Sequence, residues 1–279
     1  QLEHFGDPTM GVNDAFKAVT RYWDRITHPA QVIQSLPAAL ATMLDPADCG
    51  PTFIALPQDV QGWIYDYPAA FFEERVHHIR RQAPDITEIE DAASLVASAK
   101  RPLIIAGGGV QYSGAIKELS SFAETLNIPV VETIAGRANM LATHPLNIGP
   151  VGVTGSDSAN WAAERADVIL SVGCRLQDFT TGSWTAFSHD AQFISLNAAR
   201  HDAAKHRSLP VVGDAKLGLA ALQKTLGERC GDPTWTKEAQ AQRQIWDHTV
   251  AETVRAGDNR PNSYAQAIGV VNALVADHD

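Results

Sequence analysis

The stretch RPLIIAGGGVQYSGAIKEL (101–119) decides how this chain is read. Four apolar residues, Leu103, Ile104, Ile105 and Ala106, run into Gly107, Gly108 and Gly109, and a segment with helical spacing follows. A strand that stops at glycines lets backbone N–H groups approach an anion, and the next helix aims its positive N-terminus at the same place. The letters nonetheless miss two familiar phosphate fingerprints. In G-x-G-x-x-G the third glycine falls on Tyr112; in the P-loop spacing from Gly109 to Gly114, Ala115 and Ile116 stand where Lys and Ser/Thr are needed. Glu132, closing the next apolar run Pro129-Val130-Val131, stands about where a ribose-binding acid would sit. A nucleotide site and a purely structural turn both stay open.

Outward from this turn the pattern alternates. A helix carrying Ile89, Ala92, Ala93, Leu95 and Val96 is expected behind a capping box made by Thr87 and Glu90. Strand 102–106, helix 113–126, strand 129–131, helix 156–165, strands 167–172, 192–196 and 209–212, and helix 214–228 then follow. Such a series predicts an α/β fold with a doubly wound, mainly parallel sheet of about six strands. Ligands of these sheets sit beyond the carboxyl ends of the strands, here the loops at 107–109, 133–137 and 173–181, Asn197, and Gly213-Asp214. Asp214 itself reads as a helix N-cap.

The flanks differ. Residues 29–44 read as a helix presenting Val32, Ile33, Leu36, Leu40, Met43 and Leu44 on one face, and Thr52-Phe53-Ile54-Ala55-Leu56 as a buried parallel strand. The aromatic and charged run WIYDYPAAFFEERVHHIRRQAPD (63–85) has no period and reads as a packed linker. Beyond Gly231 come a polar helix and a last helix from Ser263, with Tyr264, Ile268, Val271, Leu274 and Val275 on one side.

Composition limits the functions open to such a fold. The chain has 279 residues, 45% of them hydrophobic, which suffices for a proper core. A net charge of −10 without any basic run argues against nucleic-acid and anionic-membrane surfaces. Cys49, Cys174 and Cys230 are isolated, which speaks against a zinc site or disulfide framework and suits the cytoplasm. No metal-binding spacing is found: His77-His78 lie among arginines, and His201 and His206 do not share a helical face. No nucleophile elbow is present either, and no catalytic residue is assigned.

Several stretches together resemble one family. CGPTFIALPQDV (49–60) is similar to the end of the pyrimidine-binding domain of thiamine diphosphate enzymes of the acetolactate synthase type. KRPLIIAGGGV, NIPVVET, RADVILSVGCR and LPVVGDA are similar to successive strands of their central, Rossmann-like domain. The YWDRI and DYPAAFFEERVHHI strings resemble, more narrowly, the branch that opens a trihydroxylated cyclohexanedione in inositol catabolism.

The resemblance implies a domain plan of 1–62 (pyrimidine-binding, C-terminal part), 63–86 (linker), 87–228 (central), 229–262 (linker helix) and 263–279 (start of the diphosphate-binding domain). It implies thiamine diphosphate and Mg2+ held outside this chain: the activating glutamate would precede Gln1, and the Gly-Asp-Gly motif would follow Asp279. Gly107, Gly108, Gly109, Gly173, Arg175 and Asn197 would line the central cleft, which holds FAD in some members, although flavin is not expected here. Substrate-channel contacts would fall near His4, Phe16 and Trp23. The expected partners are a small cyclic diketone and further copies of the chain, as a dimer or tetramer, with neither nucleic acid nor membrane. The chain, which opens on Gln1 rather than Met, would be a piece of a larger enzyme and inactive alone. Alternatives are another decarboxylase or carboligase of the same type, and a non-catalytic nucleotide-binding module.

Overall fold

The computed structural model describes residues 6–7, 9–227, 232–255 and 263–275. The chain divides into two units, Gln1–Arg81 and Gln82–Asp279. His4 and Cys230 lie outside the described residues.

In the first unit, β1 (Tyr22–Arg25) pairs in parallel with β2 (Thr52–Ala55), in the register Tyr22↔Thr52 to Arg25↔Ala55. Between them runs α1 (Val32–Met43), led in by a 3-10 turn at Pro29–Gln31, and α2 (Gln58–Gln61) follows β2. The expected face of α1 is not the buried one: Ser35 and Ala39 are buried, whereas Leu36 and Met43 are exposed. A polar tether explains this orientation, because the Ser35 hydroxyl donates to the Asp24 carboxylate on β1. Nor is β2 fully covered, for Thr52, Phe53 and Ile54 are half-buried and only Ala55 is buried. The aromatic run after Trp63 packs only in its first part. Tyr65, Tyr67, Phe71 and Phe72 stack edge-to-face or offset in sequence, and the Tyr67 hydroxyl donates to the Pro29 carbonyl at 3.0 Å. Val76 and Ile79 are exposed.

The second unit begins with α3 (Ile86–Ser98) and β3 (Pro102–Ala106). There follow α4 (Gly109–Tyr112), α5 (Ile116–Leu126), β4 (Val130–Glu132), β5 (Asn147–Pro150), α6 (Asp157–Arg165) and β6 (Val168–Val172). The series closes with α7 (Asp178–Thr181), β7 (Gln192–Asn197), α8 (Arg200–Ala204), β8 (Leu209–Val212), α9 (Ala215–Leu226), α10 (Pro233–Thr253) and α11 (Tyr264–Leu274). The six strands form one parallel sheet in the order β5-β4-β3-β6-β7-β8, which is the doubly wound α/β arrangement expected.

Alternation along β3 shows why its residues are all apolar. Ile104 and Ala106 enter the core under α3, α5 and α9, while Leu103 and Ile105 enter the opposite core with residues of α6 and α10. Successive side chains of a strand point to opposite faces, so a strand covered on both must be apolar throughout. Each Ile or Leu buried this completely stabilises the fold by about 1.5–3 kcal/mol.

Several boundaries depart from the sequence reading. Asp85, not Thr87, caps α3 by accepting from the Thr87 N–H. The helix expected at 113–126 starts later, at Ile116, because Gly114 takes φ +63° between the short α4 and α5. β5 was not anticipated: Asn-Ile-Gly-Pro has no β-branched run, and its pairing with β4 shifts register between Val130 and Val131. At the other edge of the sheet, the Glu88 carboxylate accepts the Val212 N–H at 2.8 Å. The Asp214 N–H in turn donates to the Gln82 carbonyl.

Candidate functional site

Strand order locates the place to look. From β3 the chain moves outward to β4 and β5, then returns to β6 and moves the other way, so the loops after β3 and β6 part company at the switch point. Doubly wound sheets bind ligands in the crevice there.

At this crevice the two glycine loops meet backbone to backbone. The Gly109 N–H donates to the Gly173 carbonyl at 2.9 Å, and the Gly107 N–H donates to the Val172 carbonyl at 2.9 Å. A Cβ at Gly107 would lie 2.3 Å from the Gly173 oxygen, and one at Gly109 would lie 2.6 Å from the Gly173 Cα. Gly173 itself has φ +58°, a conformation that glycine adopts without strain. The N–H groups of Gly107 and Gly109 are therefore spent on β6 and the loop after it.

Gly108 faces Ala135, whose oxygen would lie 3.1 Å from an added Cβ. Asn197 stands at the end of β7 and donates from its amide to the Cys174 carbonyl at 3.1 Å. Arg175 is exposed. The structure thus gathers Gly107, Gly109 and Gly173 into one contact, with Asn197 bracing the loop after β6.

A residue that the sequence did not single out completes this arrangement. Asn139 is fully buried and donates from Nδ2 to the Gly107 carbonyl at 2.8 Å, while its Oδ1 has no hydrogen-bond partner. Its sequence neighbourhood offers no signal, because the contact joins two distant loops. Glu132 also has a different part from the one expected. It is buried and accepts from the Met140 N–H at 3.0 Å and the Asn147 amide at 3.4 Å, so its carboxylate is engaged in the protein rather than held out for a ribose. Asp214 accepts from the Lys216 and Leu217 N–H groups as the N-cap of α9. Burial pushes the Cys174 thiol up, which suits an inert thiol. Among the described residues, no group of three or more His, Cys, Asp or Glu is placed to hold a metal ion.

The first unit has an open strand end. Because β1 and β2 run parallel, Arg25 and Ala55 close them side by side, and the loops beyond border a cleft of about 890 Å³. Asn13, Arg25, Thr27, Gln58, Asp59 and Trp63 contribute to its walls. Phe16 and Trp23 do not line it. Both pack against Phe53, at ring-centroid distances of 4.7 and 6.4 Å, and the Trp23 indole N–H donates to the Asn13 carbonyl at 2.9 Å. Their place is to hold the 3-10 segment Val12–Val19 against the two strands.

Comparison with known proteins agrees with the parallel α/β sheet. Residues 89–222 match the family model of the thiamine pyrophosphate enzyme central domain. The chain is 42% identical over 261 residues to the 3D-(3,5/4)-trihydroxycyclohexane-1,2-dione hydrolase of Geobacillus thermodenitrificans, covering 93% of this chain and 40% of that protein. It is 46% identical over 227 residues to the hydrolase of the same name from Bacillus licheniformis, covering 81% and 36% respectively. The chain therefore spans about 40% of the length of the curated relatives it matches. The chain is thus similar to a part of these hydrolases, and residues 89–222 are similar to the central domain of thiamine pyrophosphate enzymes.

Proposed function

We propose that this chain is the middle of a thiamine diphosphate-dependent enzyme that opens the ring of a trihydroxylated cyclohexane-1,2-dione by hydrolysis of a carbon–carbon bond, giving 5-deoxyglucuronate in inositol catabolism. The observation that carries this reading is the extent of the likeness. An alignment over 261 of the 279 residues runs well past the central domain at 89–222 and includes both YWDRI and DYPAAFFEERVHHI. The working enzyme is then a cytoplasmic homo-oligomer, with residues 1–62 in its pyrimidine-binding domain, 63–86 and 229–262 as connections, 87–228 as the central domain and 263–279 opening the diphosphate-binding domain. The exposed side chains of Tyr264, Ile268, Val271 and Leu274 on α11 support a role in association.

Thiamine diphosphate bound through Mg2+ would supply the carbanion equivalent for such a cleavage. The residues present do not form its cradle. A diphosphate–metal site needs converging oxygen ligands, and among the described residues no group of three or more His, Cys, Asp or Glu is placed to supply them. The Asp of Gly213-Asp214 caps α9 instead. No step is assigned to this chain through the cofactor. Its contribution is scaffold, together with the cleft beyond β1 and β2, where Arg25 can donate to a ring carbonyl and Asn13, Gln58 and Asp59 to or from ring hydroxyls. Gly107, Gly108, Gly109, Gly173 and Asn197 then serve the packing of loops rather than a nucleotide, a reading supported by the spent N–H groups of Gly107 and Gly109, while Arg175 stays exposed.

The test is a paired assay of the 279-residue chain and a chain extended at both ends, with thiamine diphosphate, Mg2+ and the cyclic dione. Turnover by the extended protein alone is expected. Turnover by the short chain would refute the assignment of catalysis elsewhere, and failure of the extended protein on this dione would remove the substrate while leaving the scaffold. Calorimetry with ADP and FAD accompanies it, and sub-micromolar binding of either to the short chain would favour a nucleotide module.

A further inference from the structure

A second pocket lies beside the amino ends of β7 and β8, whereas the glycine loops follow the carboxyl ends of β3 and β6. It measures about 330 Å³, and its walls include Trp184, Phe187 and Phe193, with His189, His206 and Arg207. The three aromatic rings form a closed set: Trp184 to Phe193 at 5.2 Å, Phe187 to Phe193 at 5.1 Å and Trp184 to Phe187 at 5.7 Å between centroids, all tilted or edge-to-face. Phe187 and Phe193 are buried and Trp184 half-buried, so the cluster is anchored in the core and continues to the surface.

Two short segments meet here in a conformation that non-glycine residues rarely adopt. Ser183 and Trp184 have φ +52° and +69°, and His206 and Arg207 have φ +61° and +59°. Each such residue costs on the order of 1–3 kcal/mol and persists only where its surroundings fix it. The fixing contacts are visible: the Ala186 N–H donates to the Thr181 carbonyl at 3.1 Å, and the His206 ring lies 4.1 Å from the Trp184 ring. The result brings an indole, an imidazole and a guanidinium to one pocket from positions far apart in sequence.

The charge there is positive and available. Arg207 makes no ion pair among the described residues, whereas the neighbouring Asp202 is occupied by Lys205 at 2.7 Å. Burial, and then the charge of Lys205, lower the pKa of His206, against an opposing influence from Asp178. Near neutral pH this imidazole is thus an uncharged hydrogen-bonding group, and Arg207 supplies the cation.

We propose that this pocket binds a small planar aromatic acid, its ring packed against Trp184 and its carboxylate held by the Arg207 guanidinium, with the His206 ring as a further hydrogen-bonding partner. Offset and edge-on ring contacts favour a flat ring over a puckered one, and a guanidinium matches a carboxylate with two parallel hydrogen bonds. At about 330 Å³ the pocket has ample room for a single ring with one substituent. This site is independent of the proposed ring-opening activity, since a polyhydroxylated cyclohexanedione has no aromatic face to stack.

The experiment uses the 279-residue chain with three probes, benzoate, benzyl alcohol and cyclohexanecarboxylate, followed by calorimetry and by ligand-observed NMR. Benzoate is expected to bind with a Kd on the order of 0.1–1 mM, as befits so small a ligand. The uncharged and the puckered probes should bind at least tenfold more weakly. R207Q, at an exposed position, should keep the wild-type melting temperature and lose benzoate affinity at least tenfold. In a spectrum of the labelled protein, benzoate should shift the one indole N–H signal that W184F removes. If W184F does not fold, the probe series and R207Q still decide. The proposal is overturned if benzoate fails to bind at 10 mM, a generous excess over the roughly millimolar Kd expected, if cyclohexanecarboxylate binds as well as benzoate, or if R207Q leaves benzoate binding unchanged.

Discussion

At the carboxyl end of β3 the chain turns through three glycines, and two of their N–H groups find backbone carbonyls at 2.9 Å. At the carboxyl ends of β1 and β2, by contrast, Arg25, Gln58, Asp59 and Trp63 border a cleft of about 890 Å³. Both are ends of parallel strands, the usual place for a ligand. Residue size separates them. Where Cβ atoms are missing, two loops approach until the Gly107 and Gly109 N–H groups bond backbone carbonyls, and those two donors are no longer open to an anion. Where long polar side chains stand, the backbones stay apart and leave a cleft. A glycine-rich loop is thus no sign of a phosphate site until the destination of its N–H groups is known.

The sharpest way to break this comparison is to put a side chain into the closed end. Gly107→Ala sets a Cβ against the Gly173 oxygen at 2.3 Å and the Cys174 Cα at 2.7 Å, both backbone atoms, with no flexible group to move. A loss of about 3 kcal/mol or more is expected, read in denaturant unfolding of the second unit and as a melting temperature lower by roughly 6–12 °C. Unchanged stability would mean that the two loops separate readily and the crevice can open.

Asn139→Ala acts on the same contact from behind. It leaves the Gly107 carbonyl without the 2.8 Å donor and opens a small void, so a loss of about 1–3 kcal/mol is expected by the same measurement. Asp214→Ala removes the cap that holds the first turn of α9, with an expected cost of about 1 kcal/mol, whereas D214N should recover most of it.

At the open end the expected effects are smaller and pH-dependent. The Ser35 hydroxyl above all holds the Asp24 carboxyl below the usual aspartate range, against the opposing effect of burial and with smaller help from the Arg25 N–H and the Gln31 amide. A group whose folded-state pKa is depressed contributes stability above its unfolded pKa, and that contribution is lost as the pH falls below about 4. The first unit should therefore weaken on acidification, with Trp23 fluorescence as the probe, and D24N should flatten that dependence. The smallest effect is expected for Arg25→Gln, within about 0.5 kcal/mol of wild type, because the side chain borders a cleft and supports no core. In the extended enzyme the same change should raise KM for the dione more than it lowers kcat.

Local sequence was sufficient wherever burial on both faces fixed the composition. β3, β6 and β7 are mostly Ile, Leu, Val and Phe because each is covered twice, with Ser171 and Ser195 as small buried exceptions, and such runs cannot be mistaken for surface. Asp214 announced a helix start because a short acidic side chain before an apolar segment has one obvious use. The resemblance to thiamine diphosphate enzymes rested on these same strands and on the unusual aromatic strings beside them, and the matching central domain lies over them.

Tertiary structure decided what depended on a distant partner. Asn-Ile-Gly-Pro became β5 because β4 offered an edge to pair with. Ser35, rather than Leu36, faces inward because Asp24 accepts its hydroxyl. The fate of Gly107 and Gly109 was set by Val172 and Gly173, and that of Trp184 by His206. A hydrogen bond or ring contact between residues remote in the chain has no local periodicity, so only the fold determines whether a glycine turn binds or packs, and whether scattered aromatic and basic residues form one pocket.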